Sequence, residues 1–330
     1  MQESPPTAPP LRDDDLRLVH ALQIRPRASW SALARAIGSD PVTLARRWER
    51  LRARGDAWIA VYRATGMHAA LLEVDCAPAD AMRIAEQIAA DPEVLTIDLT
   101  AGNRDLLVTL LCEGPDRIAG YVLDRVPALP RVRALRTQII TSAVSDARSW
   151  RVRALEPAEV AALEREPTSS RTVKVSRDLV ATLQAVLMRE PRISVAALAE
   201  EIGVPRTRAA AVLSSALATG RIVLRTEIAR PLSEWPVYAW FFLRVGARER
   251  EAVVTRLATL QEARLVASTV GGYDIALAAW LRTLDDVPKL ESYLTELLPQ
   301  VTVADRSLVL RTPLHLRRLL DPHGRPRNRG

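Results

Sequence analysis

Apolar residues recur at helical spacing in three stretches near the start of the chain. Their spacing predicts helices over residues 13–24 and 31–37, and a third from Pro41 to about residue 54. Asp40, just before that proline, is a typical N-cap. Gly38 and Gly55 follow the second and third helices, where glycine commonly ends a helix. An apolar stretch at 57–61 then predicts a strand that could form a wing.

Farther along the chain the apolar pattern changes to that of strands alternating with helices. Residues 69–75, 94–100, 105–112 and 132–141 are predicted strands, and 79–90 and 116–126 are predicted helices. A second set in the same order follows at 237–245, 249–260, 265–269, 274–281, 286–298 and 301–310. This βαββαβ order predicts a ferredoxin-like sandwich, whose open sheet face needs cover from a second sheet within the chain or from another chain.

Two groups of residues repeat along the chain at constant offsets. Pro26, Gly38 and Gly55 recur 165 positions later, at 191, 203 and 220. Thr100, Gly102 and Asp105 recur 169 positions later, at 269, 271 and 274. The chain is therefore predicted to be α+β, a duplicated unit of a winged helix-turn-helix and a ferredoxin-like domain.

The repeat sets the predicted domain boundaries. The domains are a helix-turn-helix at 12–62, a ferredoxin-like domain at 63–150, a linker with a short helix (157–165) at 151–172, a degenerate helix-turn-helix at 173–230, a second ferredoxin-like domain at 231–316 and a basic disordered tail at 317–330. The loop at 167–170 belongs to that linker.

Charge is distributed unevenly along these segments. The net charge is +7, and arginine supplies all but two of the 46 basic residues. Arginine exceeds acidic residues over 13–60 and 131–153, whereas acidic residues dominate 64–130. Codon bias explains much of the arginine content, but the segmental surplus favours a polyanionic partner for particular segments.

The third helix has a buried stripe and a basic outer face. Leu44, Trp48 and Leu51 form the stripe, and the face opposite carries Val42, Thr43, Arg46, Arg47 and Arg50. Arginine on such a helix can contact phosphates and guanine edges in the major groove. The alternative is a solvated helix face. In the second copy, the helix keeps basic residues only at its start, where Arg206 and Arg208 flank Thr207, and Arg221 and Arg225 lie in the expected wing. It is therefore either a further DNA contact or a structural remnant.

The turn between the second and third strands of each βαββαβ block is the candidate effector site. It comprises Thr100, Gly102, Asn103 and Asp105 in the first block and Thr269, Gly271, Gly272, Tyr273 and Asp274 in the second. Backbone amides beside a carboxylate suit a zwitterion such as an amino acid. The alternative is a hairpin turn with the aspartate as a local cap.

No other chemistry stands out in the sequence. The four histidines are scattered, His20 has the position of a structural residue, and Cys76 and Cys112 lie far apart. No catalytic residue, metal site or cofactor is therefore predicted. Neither a membrane span nor a signal peptide is expected, and the two cysteines suit the reducing cytoplasm.

The helix-turn-helix at 33–55, with Arg47, Trp48 and Leu51, resembles that of the Lrp/AsnC (leucine-responsive, feast/famine) regulators. The Thr-x-Gly-x-x-Asp turns and the Leu-Pro-x-Val segments at 129–132 and 298–301 resemble that family's sensing domain. The resemblance extends over both halves, as in the tandem, double-length subgroup. It implies a cytoplasmic transcriptional regulator that binds double-stranded DNA as a dimer or larger homo-oligomer, with an amino acid or related metabolite as effector.

Two alternatives remain. Siroheme decarboxylases resemble the same two-block architecture, but the acidic first sensing domain and its single His68 disfavour an anionic tetrapyrrole. A ligand-independent architectural DNA-binding protein is the other.

Overall fold

The computed structural model describes residues 11–145, 150–165 and 173–327. The helices are α1 (Asp13–Ile24), α2 (Trp30–Ile37), α3 (Pro41–Arg54), α4 (Ala81–Ile88), α5 (Pro115–Gly120), α6 (Pro157–Arg165), α7 (Arg177–Arg189), α8 (Val195–Glu201), α9 (Arg206–Ala218), α10 (Arg250–Leu257) and α11 (Asp286–Leu297). The strands are β1 (Ala57–Tyr62), β2 (His68–Cys76), β3 (Val94–Ala101), β4 (Leu106–Cys112), β5 (Val132–Ser145), β6 (Val223–Ile228), β7 (Val237–Arg244), β8 (Ala263–Val270), β9 (Ile275–Leu281), β10 (Thr302–His315) and β11 (Arg318–Leu319).

The chain divides into two compact units. We call residues 11–67 and 151–228 the helical unit, and residues 68–150 and 229–330 the sheet unit. Each unit combines segments from both halves of the sequence, because like segments of the two halves pack together.

The helical unit contains two three-helix domains, each followed by a strand. Helices α1 to α3 precede β1, and α7 to α9 precede β6. The two strands pair with each other as an antiparallel ribbon over their full length, from Ala57 opposite Ile228 to Tyr62 opposite Val223. The predicted wing strand of the first domain is thus paired with the second domain.

The sheet unit repeats the βαββαβ order twice. Strands β2 to β5 follow the order β3-β4-β2-β5 and strands β7 to β10 the order β8-β9-β7-β10, which is the ferredoxin-like arrangement. Edge strand β5 pairs with β8, and β10 pairs with both β3 and β7, so that the hydrogen bonding closes on itself. The strand edges that each sheet would leave open are thereby paired within one chain.

The two faces of the sheet differ in their partners. Leu72 and Val74 pack with Ile84 of α4 and Ile118 of α5 in one apolar core. Phe241 packs with Val253 of α10 and Leu294 of α11 in another. The alternate residues of the same strands, such as Leu71 and Trp240, are buried as well, so the face without helices is covered too.

The segment predicted as a linker belongs in part to the first helical domain. Its helix, α6, has the predicted bounds, but Leu155 and Leu163 are buried in one core with Leu18 and Leu33. Because this segment is rich in Arg, Glu and Ala, its sequence does not show that these two leucines are buried. The predicted loop at 167–170 lies outside the described residues.

The prediction of a disordered tail at 317–330 is wrong for its described part. β11 pairs with the end of β10, and Leu320 forms a β-bridge with Pro326. Leu316 and Leu320 are buried, which ties this segment down despite its Arg, Gly and Pro content.

Candidate nucleic-acid interface and effector turns

The first helical domain positions α3 by matched caps. The Ser29 hydroxyl accepts a hydrogen bond from the Ala32 amide at the start of α2. Gly38 ends that helix with φ at 64°, a conformation that favours glycine. The Asp40 carboxylate then accepts a 2.7 Å hydrogen bond from the Thr43 amide, which holds the pKa of Asp40 below its usual value. These two caps set the tight turn between α2 and α3.

The outer face of α3 is as predicted at four of its five positions. Leu44, Trp48 and Leu51 are buried, whereas an exposed face carries Val42, Thr43, Arg46 and Arg50. Val42 is 65% exposed. Among the described residues, neither Arg46 nor Arg50 has an ion-pair or hydrogen-bond partner, so both guanidinium groups are available to phosphate or base edges.

Arg47 points elsewhere. Its guanidinium lies 3.0 Å from an Asp14 oxygen and 3.4 Å from an Asp15 oxygen, and only 18% of the side chain is exposed. The acidic residues at the start of α1 thus have two roles. They favour the N-terminus of that helix, and they attach α3 to it through ion pairs. The contact of Arg47 with DNA stays a prediction.

The second helical domain exposes a different set of groups. Arg206, Thr207 and Arg208 are exposed at the start of α9. Val212 and Ser215, the counterparts of Arg47 and Arg50, are buried, and Ser215 donates a 2.8 Å hydrogen bond to the Val173 carbonyl. Only the first turn of this helix therefore offers basic side chains.

Two arginines join the helical domains reciprocally. The Arg27 guanidinium donates to the carbonyls of Pro191 and Ile193 in the second domain. Arg192 donates to those of Pro26 and Ala28 in the first, at 2.5 and 2.6 Å. The two arginines are 165 positions apart, so each domain makes the same contact with the other. The sequence shows both residues but gives no sign that each binds the opposite turn.

In the sheet unit, both predicted effector turns are tied into the hairpins that carry them. The Thr100 hydroxyl donates to the Arg104 carbonyl, and the Thr269 hydroxyl donates to the Tyr273 carbonyl. Asp105 accepts a hydrogen bond from the Cys76 amide at 2.8 Å. Asp274 likewise accepts from the Val245 amide and pairs with Arg250. Each aspartate thus contacts the residue at or just after the end of a neighbouring strand, and does not act as the local cap of its own hairpin that the alternative expects.

The two glycines of these turns lie close to the opposite half of the sheet. At Gly271 a Cβ would lie 2.0 Å from the Gln138 side-chain oxygen and 2.9 Å from the Thr137 carbonyl. At Gly102 it would lie 3.1 Å from both the Arg306 carbonyl and the Ser307 hydroxyl. The groups that approach these glycines belong to β5 and β10, so the glycines allow close packing of the turns against protein strands.

Three turn residues converge on Asp305 of β10. Asn103 donates to one of its oxygens at 3.2 Å, and the Tyr273 hydroxyl donates to the other at 3.1 Å. Arg104 pairs with Asp305 and also with Glu73, at 2.9 Å. The structure thus brings the two predicted turns together, and burial beside Asp305 raises the pKa of Tyr273.

Sequence reasoning missed the residues at the centre of this cluster. Glu73 and Arg104 are buried, and Gln138 accepts a 2.8 Å hydrogen bond from the Gly272 amide. Glu73 interrupts the apolar run of its strand, which is the one signal that could have marked it. Gln138 carries no comparable signal.

Other chemistry is limited in the described ranges. No cluster of His, Cys, Asp or Glu side chains there could hold a metal ion. Helices long and apolar enough to cross a bilayer do not occur among the same residues. Asp98 is fully buried, accepts hydrogen bonds from Thr312 at 2.7 Å and Trp240 at 3.2 Å, and has a raised pKa because of its burial.

Comparison with known proteins agrees with this arrangement. Residues 13–52 match the AsnC-type helix-turn-helix domain, and residues 59–150 match the Lrp/AsnC ligand binding domain. An uncharacterized HTH-type transcriptional regulator of Pyrococcus horikoshii is 25% identical over 137 residues, or 40% of this chain and 87% of that relative. One of Pyrococcus furiosus is 25% identical over 133 residues, or 39% of this chain and 90% of the relative.

A solved structure extends the likeness to nearly the whole chain. The siroheme decarboxylase NirDL has a TM-score of 0.57 over 92% of this chain and 93% of its own, at 12% identity. At that identity the likeness shows the fold alone. Fold and exposed basic helix together define a helix-turn-helix protein with a ferredoxin-like ligand domain. Residues 13–52 and 59–150 thus carry the helix-turn-helix and the ligand binding domain by which the Lrp/AsnC family is recognised.

Proposed function

We propose that this protein is a sequence-specific DNA-binding transcriptional regulator whose DNA affinity changes when a small effector binds. The observation that carries the proposal is the capped helix α3, with Arg46 and Arg50 exposed and unpaired among the described residues. Guanidinium groups on such a face suit guanine edges in the major groove. Double-stranded DNA is therefore the proposed partner.

We further propose that the chain is a tandem duplication in which the two halves act as a pair. The constant offsets of 165 and 169 positions support this, as does the repeated order of elements. Pairing of β1 with β6, and of β5 with β8, supplies within one chain contacts between like domains. Assembly of two or more chains stays a prediction.

The proposed effector is an amino acid or related metabolite, and its proposed site is the pair of turns at 100–105 and 269–274. Their exposed tips, Gly102 with Asn103 and Gly271 with Gly272, lie beside the Asp305 cluster. A zwitterion that competes for the carboxylate or the turn amides would alter the contacts between the two halves, and so bias a two-state equilibrium.

Fluorescence anisotropy with the DNA upstream of the protein's own gene, beside a scrambled duplex, tests this function. We expect selective binding with a steep salt dependence, and a change in affinity with at least one of the twenty amino acids. Equal binding to both duplexes with no amino-acid effect would support the architectural alternative. No binding at low salt would exclude the regulator.

Arg46→Gln and Arg50→Gln sharpen the test. Each should weaken binding to the preferred duplex by ~1–3 kcal/mol, with a smaller effect on the scrambled duplex, if the side chain contacts a base. Arg54→Gln is the matched control, because Arg54 is exposed at the far end of the same helix. Equal losses on both duplexes for all three variants would refute base reading by α3.

A siroheme-decarboxylase-like enzyme is the second candidate, favoured by the 92% coverage of the NirDL fold. Titration of the protein with an iron tetrapyrrole, followed by visible absorption, separates the two functions. Saturable spectral change without DNA binding would support the enzyme, whereas DNA binding without spectral change supports the regulator.

A further inference from the structure

The second helical domain carries three basic side chains around one open hollow. Lys174, Arg208 and Arg221 line it together with Val175, Ser176 and Leu179, and its volume is about 560 Å³. We call these three basic residues the second-domain basic cluster. No carboxylate is among the six lining residues. The hollow therefore favours an anion. It is large enough for a phosphate group together with part of the sugar-phosphate chain that carries it.

Backbone contacts hold the two arginines in place. The Arg208 guanidinium lies 3.3 Å from the Lys174 carbonyl, and the Arg221 guanidinium lies 2.5 Å from the Val175 carbonyl. These contacts use only part of the donors on each guanidinium group. Within the described residues, no member of the cluster forms an ion pair, so their charge is not neutralised internally.

The first helical domain does not repeat two of these three basic residues. The positions equivalent to Arg208 and Arg221 are Thr43 and Asp56, and Asp56 is buried. Conversely, the equivalents of Arg46 and Arg50 in the second domain are Ala211 and Ser215. The two domains thus place their basic groups differently. The first carries them on the exposed face of α3, and the second carries them around a hollow beside α9.

We infer that the second helical domain binds the DNA phosphate backbone through Lys174, Arg208 and Arg221 and reads no base sequence. One chain then combines a sequence-reading domain with a sequence-independent backbone contact. Contacts to phosphate position a protein on the duplex, and contacts to base edges specify sequence. This inference rests on the proposed DNA-binding function and assigns a distinct part of it to each domain.

The salt dependence of binding tests the assignment. Each phosphate that a cation neutralises contributes about 0.9 to the slope of log K against log salt concentration. The triple variant Lys174→Gln, Arg208→Gln, Arg221→Gln should therefore lose roughly two to three from that slope. Its affinity should fall equally on the preferred and scrambled duplexes, leaving their ratio unchanged.

A matched triple variant controls for the loss of net charge. Arg244, Arg248 and Arg256 are exposed in the second ferredoxin-like domain, and their replacement by Gln removes the same charge. This variant should keep a slope within about one of the wild-type slope. The single variant Lys174→Gln tests the assignment even if the triple variant fails to fold, because the exposed Lys174 side chain makes no hydrogen bond to another described residue. It should lower the slope by about 0.9.

Three results would overturn the inference. In the first, the wild type binds DNA but the salt-dependence slope is unchanged in both the triple cluster variant and Lys174→Gln. That result would leave the proposed function intact. Another is a loss confined to the preferred duplex, which would make these residues base readers. A wild type that binds neither duplex at low salt, but whose melting temperature rises with inorganic phosphate, would assign the hollow to free phosphate and overturn the DNA function as well.

Discussion

At the scale of single residues, His20 shows how a buried titratable group ties a segment to a domain. Its imidazole is 4% exposed and accepts a 3.0 Å hydrogen bond from the Leu155 amide, through Nδ1. Burial, with Arg151 and Arg153 nearby, lowers the pKa of His20 to about 4. Only the neutral ring can accept this hydrogen bond, which agrees with the structural role expected for it.

This pKa makes stability depend on pH in a defined direction. The unfolded chain takes up a proton at His20 near its ordinary pKa of 6.5, whereas the native ring stays neutral down to about 4. Stability from this group is therefore present above pH 6.5 and lost as the pH falls toward 4, by on the order of 3 kcal/mol. Urea unfolding at several pH values should show that loss in the wild type and not in His20→Gln. Exposed His68→Gln is the control, and a pH-independent difference between wild type and His20→Gln would contradict the assignment.

At the scale of elements, the least expected contact is the reciprocal one in which Arg27 and Arg192 each bind the opposite helical domain. Each guanidinium binds two carbonyls of the opposite turn, and Arg192 also stacks 4.0 Å from the Trp30 ring. Burial lowers the pKa of both arginines, and at Arg192 the nearby charge of Arg27 adds to this. The like charges lie close because the carbonyls of both turns supply the compensating dipoles.

Removing either side chain should loosen the pairing of the helical domains. Arg27→Met or Arg192→Met leaves two carbonyls without their donors, which should lower the free energy of unfolding by roughly 1.5–3 kcal/mol. The two losses should not add, because the residues share one interface. Arg177→Met, at an exposed position on α7, is the control in urea unfolding. If the free energy of unfolding falls no more than in the control, the reciprocal arginine contacts do not stabilise the helical unit.

Local patterning accounts for most elements and for few of the contacts between them. Apolar spacing and caps place α1, α3 and α6 at the bounds found in the structure, because those signals are local. The ion pair of Arg47 with Asp14 and the packing of Leu163 with Leu18 join segments that are distant in sequence. The turn glycines could be predicted as sites of close approach, but not the strand that approaches, since pairing between domains leaves no local pattern.

At the scale of the whole molecule, the sheet unit joins the two ferredoxin-like domains through buried charge. Arg104 lies in the first domain, and its side chain is 0% exposed, as it pairs with Glu73 and with Asp305 of the second domain. Ser307 accepts another of its hydrogen bonds, and the Phe242 ring lies 4.3 Å away. One guanidinium thus neutralises carboxylates from both domains, so neither domain can open there without exposing or orphaning a charge.

Arg104→Met should therefore destabilise both ferredoxin-like domains together. It leaves Glu73 with only Arg136 and Gln138 as partners among the described residues. Asp305 keeps its hydrogen bonds from Asn103 and Tyr273. The expected cost is therefore about 3 kcal/mol, the lower end of the range for breaking a buried ion pair. Hydrogen exchange followed by mass spectrometry should show faster exchange in peptides from 68–112 and from 237–315 alike, because the sheet closes through β10 paired with β3. Arg83→Met, whose side chain is 60% exposed on α4, should change neither set. Faster exchange confined to the first domain would mean that the two domains open independently, and that an effector at one turn could not be sensed at the other through this sheet.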